Sequence, residues 1–307
     1  MVQFIIVLGM DGTIGNVLSI KQRAESVVMV DASTILYSSI GEAGAFIWNW
    51  RAEGKDGDPS KLGFYADSHT LWYSKDQELF YGMLMPSQEV QNAPSVAAIF
   101  DKDGNEVFEY VQPHSHINFV TVSNGYMYLS LRSFACLNKI NLETGDLVDS
   151  IGGLESTYTI LDSNGDAFEA TEIDGVSPWH HQHHFEHLDD TLFALFDNHV
   201  DDFKDFIDNE NSKMIVLAVD PEVKTAQIIF SYDVGEQALI YGSATPLPSG
   251  NILGNSYPTV VYPLIKDRSY HANIWEATPD GDLAWRFAIY GSNPWGWEAA
   301  HEDNKEG

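Results

Sequence analysis

The strongest constraint on this chain is a repeat of paired β-type runs. Short segments rich in Val, Ile, Tyr, Phe and Trp are broken roughly every 8–12 residues by Gly, Asn, Asp or Pro, the pattern of an all-β chain. No window keeps apolar residues at i, i+3, i+4 and i+7 between helix caps. The runs come in two kinds. The first is a strand, a Gly or Asp turn and a second strand, at 118–133, 183–198 and 242–257, with weaker copies at 27–40 and 64–77. The second is an apolar strand, an acidic turn and a strand ending in aromatic or aliphatic residues, at 97–111, 136–151, 215–232 and 273–290. The turns of the second kind (DKDG, ETGD, PDGD) suit hairpins, because Gly supplies a positive φ and Asp bonds its own backbone.

One hairpin of each kind makes a four-stranded antiparallel sheet, and copies begin near residues 64, 118, 183 and 242. Four-stranded units in series are the blades of a β-propeller. The expectation is therefore a single all-β propeller domain over 1–307, of six blades, with five as the alternative. The 4–20 segment, a lone hairpin of the second kind, is expected to close the ring by completing a blade with strands from the other chain end. Two stretches interrupt the repeat: 152–178, poor in strand signals, and the acidic insertion 201–211. Loops of such length in a compact domain are functional or mobile as a rule.

Charge narrows the partners. Forty-five acidic against sixteen basic side chains give a formal net charge of -29. Nucleic acid and anionic membrane surfaces both require concentrated Lys and Arg, so neither is an expected partner. A single cysteine, Cys136, excludes an internal disulfide framework and a Cys-rich metal site. The first apolar run, Phe4 to Leu8, is too short for a signal h-region or a membrane span, and a soluble chain is expected.

The chemistry points to histidine. Of eleven, five fall in WHHQHHFEH (179–187), just before a strand run, and His114 and His116 hold the matching place one unit earlier. His271 precedes the strand run that begins at Asn273. Strands of successive blades bring such positions to one axial pocket. Imidazole there serves as a metal ligand, a nucleophile or a general acid–base. DSNGD (162–166) has the alternate spacing of a calcium loop, but Ala167 and Ile173 replace its Gly and closing Glu, and a simple turn is expected.

The run 114–153 resembles a PAPS-independent arylsulfotransferase (aryl-sulfate sulfotransferase): His116, Asn118, Arg132, Lys139, Thr144, Gly145, Gly152 and Gly153 match that family's pattern in order. Gln182, His183, Phe196, Asp197 and Asn198 match its Gln-His segment running to Phe-Asp-Asn, and 212–232, 242–255 and 274–287 resemble the units that follow. The resemblance covers 97–290. It implies a six-bladed propeller in which a histidine takes sulfuryl from an aryl sulfate and passes it to a phenol, without a cofactor, in a secreted or periplasmic protein. By matching position His116 and His183 are pocket histidines, with His271 the candidate nucleophile and Arg132, Lys213, Asn118 and Gln182 the substrate-binding set. Lys213 stands where the family has Arg, which keeps the charge and loses the planar fork. The alternatives are a non-catalytic or divergent propeller holding a small aromatic or anionic ligand, and a metal site in the same histidine pocket.

Overall fold

The computed structural model describes residues 3–9, 11–20, 24, 26–39, 44–64, 66, 70–84, 94–113, 116–171, 175–200, 210–238, 240–257 and 271–290. Nearly all regular structure in it is strand. The chain opens with β1 (Gln3–Leu8) and β2 (Ile14–Ile20), which pair only with each other. Then come β3 (Val27–Met29), β4 (Thr34–Ser39), β5 (Gly44–Asn49) and β6 (Ser60–Lys61), and next β7 (Leu71–Ser74), β8 (Leu79–Leu84), β9 (Ser95–Asp101) and β10 (Glu106–Gln112). The third set is β11 (Ile117–Ser123), β12 (Tyr126–Leu131), β13 (Cys136–Asn141) and β14 (Leu147–Gly152). After the short β15 (Thr159–Leu161) follow β16 (His183–His187), β17 (Leu192–Asp197), β18 (Lys213–Asp220) and β19 (Thr225–Asp233). The last set is β20 (Ser243–Pro246), β21 (Ile252–Ser256), β22 (His271–Ala277) and β23 (Leu283–Tyr290).

Each set of four is one antiparallel sheet in chain order, and the fold is a β-propeller of five such blades. The count is five, where six was favoured. The β1–β2 hairpin is a two-stranded sheet of its own, and no C-terminal strand among the described residues joins it. The break expected inside 64–77 lies later: β7 and β8 turn at Lys75–Glu78, with Glu78 at φ 53°. β15 had no sequence signal. It adds a fifth strand by pairing in parallel with β19, Thr159 to Thr225 and Leu161 to Gln227, which covers that blade's outer edge. The DSNGD stretch is a turn, as read: Asp162 Oδ1 accepts the N–H groups of Asn164 and Asp166.

Burial changes across each sheet in the way the repeat requires. β4, β11, β12 and β17 are buried on both faces, so they read as near-continuous apolar runs. β10 and β19 alternate buried and open positions, as half-covered strands do. Chain contacts divide the molecule into two compact units, 1–131 with 139–148, and 132–138 with 149–307. In the first, Leu36, Phe64, Leu71, Phe80, Ala98 and Phe100 form one core, and Phe64 stacks on Phe100 at 4.4 Å. In the second, Phe196, Met214, Val216, Phe230, Ile252 and Trp275 join the β16–β19 sheet to the β20–β23 sheet.

That second core leaves no room at Gly242. Its φ is +117°, and a Cβ there would lie 2.1 Å from the Phe196 ring. At Gly125, φ +79°, a Cβ would meet nothing within 4 Å. Gly242→Ala is therefore expected to cost about 3 kcal/mol or more, from overpacking added to backbone strain. Gly125→Ala should cost only the backbone part, about 1 kcal/mol. Urea denaturation of the two variants checks this; equal losses would contradict it.

Candidate functional site

The histidine-rich run enters the second unit on a fixed approach. Ala135, itself at φ 50°, turns its carbonyl to accept Ser177 Oγ–H at 2.7 Å and Trp179 Nε1–H at 2.8 Å. Gln182 Nε2 donates to the Cys136 carbonyl at 3.3 Å. Trp179 and Gln182 are fully buried, so these bonds satisfy groups that water cannot reach. Cys136 is buried as well, which pushes its thiol up to about 12 and leaves it inert. Arg132, half-buried, opens the short 3-10 turn Arg132–Phe134 that delivers these two carbonyls.

His183 begins β16 opposite Phe196 of β17. The next pair is Glu186 with Ala194, so β16 carries one extra residue there, a β-bulge, with His184 at φ 50°. The decisive contact is His183 Nδ1 to Asn198 Oδ1 at 2.7 Å. Asn198 is fully buried, and its Nδ2 donates to the carbonyls of Ala238 (2.8 Å) and Tyr241 (2.9 Å). Two carbonyl partners can be met only by the NH2 end, so the amide orientation is fixed and its oxygen faces the ring. An oxygen facing Nδ1 requires the proton on Nδ1. In the neutral ring, Nε2 is then the nitrogen that carries the lone pair.

The backbone around this pair is held away from its relaxed state. Of eight non-glycine residues with left-handed φ among the described residues, His181, His184 and Tyr241 belong to this site and His199 follows Asn198 directly. Each such conformation costs on the order of 1–3 kcal/mol, and such costs gather where geometry serves function. The rings follow one another at close range: His181 to His183 at 5.8 Å, His183 to Tyr241 at 6.3 Å and Tyr241 to Tyr257 at 5.5 Å.

The opposite face of β17 carries a separate ionic set. Asp197, fully buried, accepts the N–H groups of His180 and His199 at Oδ1, both at 2.9 Å, and faces His199 Nδ1 through Oδ2 at 3.1 Å. Burial works against a charged His199, but the bond and charge of Asp197 outweigh it and raise its pKa. His199 Nε2 lies 3.6 Å from Glu210, whose carboxylate takes Lys213 Nζ at 2.5 Å. Lys213 pairs with Asp197 across β17 and β18, so the two side chains share a face of that sheet. Lys213, expected in the substrate-binding set, is thus engaged by Glu210.

The other expected residues divide between the units. His116 and Asn118 lie in the first, His116 half-buried before β11 and Asn118 buried, with its carbonyl taking Thr70 Oγ1–H at 3.1 Å. His271 opens β22 opposite Tyr290, and its side chain lies outside the described residues, as do His114 and 201–209. Among the described residues no three His, Cys, Asp or Glu side chains group as a metal site. No helix among them is long and apolar enough to cross a membrane.

No family model and no curated protein matches the chain. Among solved structures, a protein of unknown function from Bacteroides caccae is similar at a TM-score of 0.54, with 15% identity over 93% of this chain and 90% of that one. Hydrazine synthase from Kuenenia stuttgartiensis (TM-score 0.49, 13% identity, 89% of this chain, 69% of that) and a putative 6-phosphogluconolactonase from Bacteroides uniformis (0.45, 11%, 94% and 78%) are also similar. At these identities the first likeness speaks of fold alone.

A titrating pair beside the site gives a pH signature. His184 Nε2 lies 3.5 Å from Glu186 Oε2, and burial lowers the imidazole to about 4 while raising the carboxyl to about 7. A raised carboxyl binds more protons folded than unfolded, so its contribution to stability is present below about 4.5 and lost as pH rises through 7. A lowered histidine does the reverse, contributing above 6.5 and failing as pH falls through 4. The two offset each other in the wild type. Glu186→Gln should leave stability rising with pH from about 4 to 6.5, and His184→Gln should leave it falling from about 4.5 to 7. Melting temperatures across that range check both slopes; two flat profiles would contradict the assignment.

Proposed function

We propose that the protein is an arylsulfotransferase-like enzyme in which His183 Nε2 carries the sulfuryl group from an aryl sulfate to a phenol. The observation that carries this reading is the His183–Asn198–Ala238/Tyr241 clamp, which keeps the proton on Nδ1. Nucleophilic catalysis by imidazole requires an unprotonated nitrogen facing the substrate. In the first step an Nε2–S bond forms as the S–O(aryl) bond breaks, and the electron pair leaves on the phenolate. The ring becomes a cation, and Nδ1–H keeps its acceptor at Asn198, which favours that charge. In the second step the acceptor phenol oxygen attacks sulfur, the N–S pair returns to Nε2, and the acceptor's proton is released to solvent, from which the first phenolate has taken its own.

The resemblance at 114–153 and 182–198 supports sulfuryl as the group transferred. His183 is proposed as the nucleophile in place of His271, because Asn198 sets its tautomer. Arg132 is proposed to stabilise the oxygens of the SO3 group, on its matching position in the resemblance. Gln182 remains a proposed pocket residue.

Incubation with 4-nitrophenyl sulfate should add the mass of one SO3 group to the intact protein, lost in His183→Ala and discharged by phenol. His271→Ala should retain the adduct. Arg132→Lys should lower turnover about 100-fold, the scale for removing one donor to a transferring group. Absence of the adduct on wild type, with an aryl ligand still retained, would replace the enzyme with a binding protein.

A further inference from the structure

The clamp on His183 is itself held from the neighbouring blade, and one carboxylate is the joint. Glu236 is half-buried in the stretch after β19. Its Oε1 accepts Ser256 Oγ–H, and Asn273 Nδ2 donates to both its oxygens, at 2.8 and 2.7 Å. Ser256 and Asn273 are fully buried and face each other across β21 and β22. Both are fixed in turn. Trp275 Nε1 donates to Ser256 Oγ at 2.8 Å, and Arg286 Nε and Nη2 donate to Asn273 Oδ1 at 2.9 and 2.7 Å. Arg286 also lies over the Trp275 ring at 4.4 Å, and through Asn273 its charge faces that of Glu236.

The main chain of Glu236 connects this joint to the site. Its carbonyl accepts the Ser212 N–H at 2.9 Å. Ser212 is fully buried; its hydroxyl donates to the Asn198 carbonyl at 3.0 Å and accepts the Ala238 N–H at 2.9 Å. The Ala238 carbonyl is one of the two that orient the Asn198 amide. An unbroken series of bonds thus runs from Arg286 and Trp275 through Glu236 to His183 Nδ1.

We propose that Glu236 is a positioning residue for His183, acting through the 234–238 stretch and Asn198 to keep the proton on Nδ1. It rests on the reading of His183 as the group-carrying residue, but its first readout does not need that reaction. Glu236→Gln keeps the volume while placing an NH2 group against the Asn273 NH2, which Arg286 prevents from turning. Glu236→Ala removes every acceptor.

Long-range 1H–15N correlation of the histidine rings is the test. Wild type should show His183 with Nδ1 protonated and Nε2 bare. Glu236→Gln and Glu236→Ala should show a mixture of tautomers or the Nε2–H form, and kcat for sulfuryl transfer should fall 10- to 100-fold with KM little changed. Should Glu236→Ala fail to fold, Glu236→Gln alone decides. A lowered melting temperature with His183 still protonated on Nδ1 would make Glu236 a merely structural tie and overturn the proposal. If wild type shows no sulfuryl transfer while the tautomer shifts in the variants, the positioning role stands and the reaction assigned to His183 fails.

Discussion

One side-chain amide governs the site. Asn198 sits where no water reaches, and a primary amide there must satisfy two donors and an acceptor or cost several kcal/mol. Ala238 and Tyr241 supply the carbonyls, and His183 supplies the N–H. Because every partner is spoken for, the amide has one orientation, and the imidazole it touches has one neutral tautomer. Sulfuryl chemistry at His183 would then need no separate base to expose the nitrogen.

The same device recurs between strands of successive sheets within each unit. In the first unit, Ser26 Oγ bonds the Leu71 carbonyl and Thr70 Oγ1 bonds that of Asn118; Ile117 N–H reaches Ser95 Oγ. In the second, Ser177, Trp179 and Gln182 use the carbonyls of Ala135 and Cys136. Apolar packing alone is non-directional and tolerates sliding between sheets. A buried hydroxyl or amide that must meet one particular carbonyl removes that freedom. The left-handed backbone at His181, His184, His199 and Tyr241 persists because such bonds, with the core around Phe196, over-determine it.

Much of the fold was legible in the sequence, since period-two runs and Gly or Asp turns are local properties. The hairpins of β11–β12, β16–β17, β18–β19 and β22–β23 fall where the patterns placed them. β15 escaped because three residues cannot show a period, and its partner lies in β19. The Lys75–Glu78 turn escaped because the run also offers Asp67 as a turn residue before Asp76, and its left-handed position is a Glu, Glu78. For the site, clustering pointed to His183. Asn198 matched the family pattern in sequence, but its role depends on carbonyls 40 and 43 residues away, and a main-chain carbonyl has no sequence signature. Lys213 entered by its matching position; its register with Asp197 and its bond to Glu210 are set by pairing that no local pattern shows.

The charge of -29 sharpens what the site has to supply. On the proposed reading a sulfate ester would be repelled by such a protein, and a histidine that becomes cationic on reaction, with Asn198 accepting from it, would offset the bulk field locally. The central claim is therefore the proton on Nδ1 of His183. Neutron diffraction from crystals of the wild-type protein at neutral pH sees that proton directly. The account predicts deuterium on Nδ1, pointing at Asn198 Oδ1, and none on Nε2; deuterium on Nε2 with Nδ1 bare would contradict it.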